Sequence, residues 1–264
     1  MFKSLGTRRS LLALYRKHPT SLRYRPLHIQ TMSTPNENAL KYLSKDGELF
    51  QPRGSKSISI KSISIKSTDY TLLDHSKLAR TIFAQVPGVE RILIGDDFLT
   101  VNRDPTYVWN EITPTIVEIL TAHLGSGEDV VSPEFKSAVK LDEGGYDINV
   151  PKFEYDEDQQ EVSDIIEDLI ETRIRPAIMD DGGDILYRGW DPKTGAVYLK
   201  LQGACNSCAS SEVTLKAEIE AMLKHYVEEV KEIVQVLDPE EQISMMEFNK
   251  LEKKLAQQKE PQAE

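Results

Sequence analysis

A stretch from residue 126 to residue 158 divides this chain into two separately patterned regions. It mixes Gly, Ser, Pro and acidic residues without a sustained hydrophobic period. Between Ser132 and Glu157 it contains seven acidic residues against three lysines, a composition typical of segments that cannot bury a core. We therefore expect two small domains, at residues 28–125 and 159–237, joined by an acidic flexible linker.

The overall composition argues against two classes of protein. No apolar run approaches the eighteen or so residues that a membrane-spanning helix needs, so we expect no membrane insertion. The formal net charge of −11 argues against a nucleic-acid binder, because phosphate contacts require clustered Lys and Arg.

The first 36 residues contain no Asp or Glu and carry seven basic residues: Lys3, Arg8, Arg9, Arg16, Lys17, Arg23 and Arg25. An Arg-rich, Ser-containing, acid-free start is typical of a mitochondrial presequence, and the apolar run Leu11–Tyr15 is short for a secretory signal. We predict a presequence at residues 1–27, with cleavage between about Leu22 and His28, and location in the mitochondrial matrix.

The first region has the periodicities of a mixed α and β domain. Alternating patterns and turn residues predict strands, and a 3.6-residue pattern predicts two helices. Ser76 is expected to cap the first helix, and Thr113 to cap the second beside Pro114. The tandem Ser-Ile-Ser-Ile-Lys repeat at 57–66 has a strand pattern and is expected to be a duplicated strand or a loop insertion. The other predicted strands are 28–31, 39–43, 89–94 and 98–102, and the helices are 76–85 and about 109–124.

The second region has the predicted order α-β-β-α-β, which makes the fold class α+β. An apolar stripe marks its first helix, Asp164 and Glu167 have capping-box spacing, and Pro176 is expected to kink or end that helix. Arg173 and Arg175 fit a solvated helix face. The other predicted elements are strands at 185–190, 196–201 and 231–237, and a helix through 215–230; a charged tail follows at 238–264.

Cys205 and Cys208 are the only cysteines in the chain, and they form a C-x-x-C motif between a predicted strand and a predicted helix. A helix N-terminus favours anions, so it promotes the thiolate, which is both metal ligand and nucleophile. An iron–sulfur cluster that is held by protein thiolates alone needs four of them, and one chain offers two. If the motif binds a cluster, a second chain or a partner must complete the site.

The residues alone leave several interpretations of the motif open. It could bind a cluster shared between two chains, act as a dithiol oxidoreductase of thioredoxin type, form part of a structural zinc site, or be chemically inert. Histidines do not complete a local metal site, because His225 is expected about 25 Å along the helix from Cys208. The Asp181-Gly-Gly-Asp184 turn is explained by backbone geometry, or by a role in dimer contact or cluster protection.

Four segments of the second region closely resemble the C-terminal domain of NifU, found in Nfu-type iron–sulfur proteins. The first region is similar to the Nfu N-terminal domain, and with the presequence the architecture resembles mitochondrial Nfu. Many family members have Pro after the second cysteine, where this chain has Ala209. The resemblance is carried by residues 172–176, 180–184, 199–208 and 210–216, and in the first region by 30–31, 34–42, 78–80, 87–90 and 97–101.

The resemblance implies an iron–sulfur cluster carrier or late scaffold, not an enzyme. It implies a [4Fe–4S] cluster bridged between the two subunits of a homodimer, with Cys205 and Cys208 of each chain as ligands. The implied partners are upstream iron–sulfur assembly proteins and recipient apoproteins, namely lipoyl synthase, aconitase-type enzymes and respiratory-complex subunits. The first domain would serve docking of clients or donors.

Overall fold

The computed structural model describes residues 28–61 except 52, 54 and 55, then 73–132, 134, 150, 152–206, 209–237, 247 and 250. The predicted presequence and all but two residues of the charged tail lie outside this part of the chain. So do Cys208 and the second copy of the Ser-Ile repeat.

The first unit contains an antiparallel sheet of five strands in the order β1-β2-β5-β4-β3. Alternating apolar side chains of the central strands form one core with the apolar sides of two helices. The elements are β1 (Ile29–Ser33), β2 (Ala39–Ser44), β3 (Ile58–Lys61), α1 (Lys77–Gln85), β4 (Val89–Ile94), β5 (Phe98–Arg103) and α2 (Trp109–Ser126).

The starts of these two helices differ in how well they were predicted. Ser76 caps α1, and its hydroxyl accepts a hydrogen bond from the backbone nitrogen of Ala79, as predicted. The cap assigned to Thr113 is wrong, because α2 begins at Trp109 and Pro114 lies inside it. Thr113 instead contacts the hydroxyl of Tyr42 at 3.3 Å. As the sixth residue of α2, Pro114 cannot donate a backbone hydrogen bond within the helix.

The second unit has the predicted order α-β-β-α-β, and the α+β fold class is confirmed. Its sheet has the order β6-β7-β8, in which β6 and β7 are antiparallel and β7 and β8 are parallel. The elements are α3 (Glu157–Leu169), a π-helical turn (Ile170–Ile174), α4 (Arg175–Asp180), β6 (Gly183–Asp191), β7 (Ala196–Gly203), a 3₁₀ turn (Ala204–Asn206), α5 (Ala209–Tyr226) and β8 (Glu232–Gln235).

The N-cap of the first helix of this unit lies eight residues earlier than predicted, at Asp156 and not at Asp164. Asp156 and Gln159 form a reciprocal capping box at the start of α3, so the box assigned to Asp164 and Glu167 is wrong. Pro176 does not end the helical segment, because it occupies the first turn of α4 just after the π-helical turn. The helical path changes from the π-helical turn to α4 next to this proline, which cannot donate a backbone hydrogen bond to the preceding turn.

Both ends of the predicted linker contact the folded units. Val130 is buried in the core of the first unit, and the Tyr155 hydroxyl bonds the backbone of Trp190 at 2.8 and 2.9 Å. The positions of the domain boundaries remain predictions. In the part of the chain that the structure describes, no helix is long and apolar enough to cross a membrane.

Candidate cysteine site

Cys205 lies where the central strand of the second sheet ends. Strand β7 finishes at Gly203, the 3₁₀ turn carries Cys205, and α5 begins at Ala209. This is the strand–motif–helix placement that the sequence predicts. The Cys205 side chain is half-buried and packs against the second core. The structure does not describe Cys208, so assigning both cysteines as ligands remains a prediction.

Three glycines shape the backbone and the space around the Cys205 thiol. Gly183 pairs with Gly203 across β6 and β7. A Cβ on Gly183 would lie 2.4 Å from Cys205 Sγ and 3.1 Å from the carbonyl oxygen of Gln202. Gly203 has a φ of +66°, and Gly182 has a φ of +79° at the end of α4, a region that side chains other than glycine rarely adopt. The Asp181-Gly-Gly-Asp184 turn therefore serves backbone geometry and also makes room for the thiol.

A buried ion pair stands directly behind this turn. The Asp184 side chain is fully buried, and its carboxylate accepts hydrogen bonds from Arg175 at 2.8 and 3.2 Å and from the backbone of Ile185 at 2.8 Å. Arg175 also donates to Glu171 at 2.8 Å, and the bonds to Asp184 raise the pKa of Arg175 above its ordinary value. The solvated face predicted for Arg175 is therefore wrong, because its side chain is only 12% exposed.

The first unit contributes hydrogen-bond donors to the cysteine loop. The side-chain amide of Asn36 donates to the carbonyl oxygen of Ala204 at 3.0 Å, and the amide of Asn102 donates to the carbonyl oxygen of Gly203 at 3.1 Å. Both of these donors are buried. The backbone on the N-terminal side of Cys205 is thus held from outside its own unit.

Lys41 makes a third contact between the units. Its ammonium group donates to the carbonyl oxygens of Met179 and Asp180 at 2.8 and 3.2 Å, at the end of α4 where helix carbonyls have no partner within the helix. Burial lowers the pKa of Lys41, and the charges of Asp180, Asp97 and Asp181 oppose that shift.

A cavity of about 160 Å³ opens beside Cys205 between the units. The first unit supplies Pro35 and Asn36 to its wall, and the second unit supplies the remaining lining residues. These are Ile178, Asp181, Ala204, Cys205, Thr214, Leu215 and Glu218.

The histidines lie in other environments. His225 is exposed on α5 with its ring against Tyr226, His123 is buried in the first unit with its pKa lowered by burial, and His75 contacts Ser132. Among the described residues, no group of three or more His, Cys, Asp or Glu side chains could hold a metal ion.

Sequence reasoning missed the residues of the first unit that reach the loop. Lys41 and Asn102 occupy outward positions of alternating strands, which is also the pattern of a solvated face. Asn36 sits in a turn, where Asn is common for local reasons. In this sequence their types and spacing gave no signal of a contact with the cysteine loop.

Fold and site together define a protein of two α+β units in which a cysteine loop is held between them. Residues 166–234 match the sequence model of the family described as "NifU-like domain". Residues 29–127 match the sequence model of the family described as "Scaffold protein Nfu/NifU N terminal".

The similarity to curated proteins extends over most of the chain. A "NifU-like protein, mitochondrial" of Saccharomyces cerevisiae is 62% identical over 236 residues, covering 89% of this chain and 90% of the relative. An "NFU1 iron-sulfur cluster scaffold homolog, mitochondrial" of Drosophila persimilis is 32% identical over 94% of this chain and 78% of its own length. The solution NMR structure of a NifU-like protein from Saccharomyces cerevisiae shares 52% identity over 47% of this chain and 100% of that chain, with a TM-score of 0.39. The chain belongs to the NifU-like family, and the family resemblance inferred from the sequence is confirmed.

Proposed function

We propose that this chain is an iron–sulfur cluster scaffold and carrier of mitochondria. The names of the relatives support the scaffold role and the mitochondrial location. The observation that carries the proposal is the cysteine loop itself, where Gly183 leaves the space that Cys205 Sγ occupies at the end of β7.

The cargo in this proposal is a [4Fe–4S] cluster bridged between two chains. Thiolate-held clusters of this kind use four cysteines, and each chain contributes Cys205 and Cys208. A homodimer closed by the cluster then supplies the full set, with each subunit presenting the same surface. The start of α5 directly after the motif favours the thiolate forms, because helix N-termini stabilise negative charge.

Transfer of the cluster to a recipient protein is possible because its four ligands come from two chains. Each chain holds the cluster through two sulfurs, so thiolates of a recipient protein can replace them in steps. The chain acts in this scheme as a carrier and not as an enzyme. The recipients we propose are lipoyl synthase, aconitase-type enzymes and respiratory-complex subunits of the matrix, and the donors are upstream iron–sulfur assembly proteins.

Anaerobic reconstitution tests the ligand set. The full-length chain is incubated with iron and sulfide, bound iron, sulfide and zinc are counted, and the mass is measured by light scattering. We expect about four irons and four sulfides per dimer, and the loss of both in Cys205→Ser and in Cys208→Ser. Ser210→Ala is the matched control, because it removes a side-chain oxygen at the start of α5, two positions after Cys208, without removing a thiol.

Three results would contradict the proposal in different ways. A normal cluster in either cysteine variant would remove that residue from the ligand set. A colourless monomer with a reversible Cys205–Cys208 disulfide would instead indicate a dithiol-disulfide oxidoreductase, the alternative use of the same motif. Two zinc-bound chains without sulfide would indicate a structural metal site.

A further inference from the structure

Both faces of the central strands β2, β4 and β5 of the first unit are buried. Helices α1 and α2 cover one face. The other face lies against the second unit, where β4 and β5 contact β7, and Leu93 and Thr100 are 0% exposed while Lys41 is 5% exposed. A one-sided antiparallel sheet ordinarily presents such polar residues to water. Here these residues contact the second unit instead of water.

The contact is directed at the two backbone segments that position Cys205. Asn36 and Asn102 bond the carbonyls of Ala204 and Gly203, next to the cysteine. Lys41 bonds the end of α4, which leads into the turn at Gly182 and Gly183.

The two glycines at these segments also permit the close approach of the first unit. A Cβ on Gly203 would lie 2.5 Å from Leu93 Cδ2, and one on Gly182 would lie 3.0 Å from both Thr100 Oγ1 and Thr34 Cγ2.

The docked first unit occupies one side of the space beside the thiol. The cavity of about 160 Å³ next to Cys205 has Pro35 and Asn36 of the first unit in its wall. A second chain that approached Cys205 from this side would meet these residues. Docking of the first unit and bridging by a second chain therefore compete for this surface.

The chemistry of the contact suits a reversible association. Lys41, Asn36 and Asn102 are groups that water solvates well when the units separate. Within the described residues, the buried hydroxyl of Thr100 and the side-chain oxygen of Gln202 have no hydrogen-bond partner, which makes the docked state less favourable. Polar contacts between domains of one chain resemble transient interfaces.

We propose that the first unit is an intramolecular cap, which binds the cysteine loop of its own chain while the chain is empty and is released when a cluster is bridged. The proposal rests on the cluster-bridging function proposed above. It assigns Asn36, Lys41 and Asn102 to recognition of the cysteine loop and of the end of α4, and it makes opening of the two units a step of cluster uptake.

A charge reversal at Lys41 tests the cap without touching the cysteines. Lys41→Glu places a carboxylate against the carbonyl end of α4 and beside Asp180 and Asp181. The matched control is Lys77→Glu, which makes the same charge change in the same unit but disrupts only the exposed pair with Glu128. Small-angle X-ray scattering of the full-length, cluster-free chains, taken behind a sizing column, reports docking. The initial rate of anaerobic cluster assembly reports access to the loop.

We expect Lys41→Glu to be more extended than the wild type and to assemble cluster about tenfold faster, since one charged hydrogen bond shifts a two-state equilibrium by about that factor. The final iron content should be unchanged, and Lys77→Glu should match the wild type in both measurements. If Lys41→Glu fails to fold by circular dichroism, Asn102→Ala serves as the second variant.

An equally compact Lys41→Glu chain, or an extended one with an unchanged assembly rate, would overturn the cap. Failure of the carrier function has a different signature, because no chain would then assemble a cluster while the scattering of the empty chains would still differ. That result would leave docking as a property of the fold and remove its link to cluster uptake.

Discussion

At the scale of single residues, the space around Cys205 depends on the absence of one side chain. The φ of Gly183 lies outside the left-handed region, so alanine is sterically allowed by the backbone. The contact at 2.4 Å is with Cys205 Sγ, which can turn away about its own side-chain bond.

Gly183→Ala is therefore expected to affect cluster binding as well as stability. We predict a loss of about 1–3 kcal/mol in the free energy of unfolding, since the added Cβ would also lie 3.1 Å from the carbonyl oxygen of Gln202, and a loss of several-fold in bound iron after reconstitution. Urea denaturation and iron analysis measure the two effects. Gly125→Ala is the control, since a Cβ there meets nothing within 4 Å. Full iron content in the Gly183→Ala chain would show that the thiol needs no such clearance.

The ion pair behind the turn should be sensitive to the removal of one partner. Arg175→Met leaves the fully buried carboxylate of Asp184 without its main partner. Breaking a buried pair in this way costs about 3–5 kcal/mol. We expect Lys77→Met, which breaks the exposed pair with Glu128, to cost under about 1 kcal/mol. Denaturant titration compares them, and equal losses would place Arg175 among ordinary surface residues.

At the scale of elements, periodicity predicted most helices and strands but not the details of their ends. The alternation of Val197, Leu199 and Leu201 correctly assigned β7, because those side chains are buried in the second core. Caps were harder, since Asp156 and Asp164 both precede a suitable residue by three positions. The sequence alone gave no reason to choose the earlier one.

A pair of alanine substitutions distinguishes the two caps. Asp156→Ala removes the acceptor for the Gln159 backbone nitrogen and should cost about 1 kcal/mol. Asp164→Ala removes only an exposed bond with Gln160 and should cost less than half of that. Thermal unfolding of both variants measures the difference. A larger loss in Asp164→Ala would return the helix start to the position predicted from the sequence.

At the scale of the whole molecule, the contact between the units could not be predicted. Each unit has its own core, and each was recognisable by itself from its pattern. The docked face alternates Lys41, Thr100 and Asn102 with buried apolar residues, as a solvated strand would. Hydrogen bonds from three side chains to backbone carbonyl groups of the other unit do not produce a periodic pattern in the sequence.

The contact should couple the unfolding of the two units, and each unit carries one tryptophan. Trp109 reports the first unit and Trp190 the second. The Trp190→Phe chain retains Trp109 and reports the first unit, and the Trp109→Phe chain retains Trp190 and reports the second. We expect the midpoint of thermal unfolding to decrease in both chains when Lys41→Glu is added. A change of about 1 kcal/mol shifts the midpoint by roughly 4–8 °C in a unit of this size. No movement of the Trp190 transition would mean that the units unfold independently.

The edge strand of the first sheet has a consequence of another kind. Among the residues that the structure describes, strand β3 is an edge strand that pairs with β4, with Ile58 opposite Ile94 and Ile60 opposite Ile92. The next five residues repeat Ser-Ile-Ser-Ile-Lys, so a slip of five positions would bring Ile63 and Ile65 to the same partners. Register is ordinarily unique where one face is buried, yet here the chain holds a spare copy of the strand. If a substitution disrupts one copy, the other copy can then form the strand. Ile60→Lys alone should therefore change the melting temperature little, whereas Ile60→Lys combined with Ile65→Lys, which alters both copies, should lower it. Such redundancy gives this edge a tolerance to mutation that the central strands of the sheet do not have.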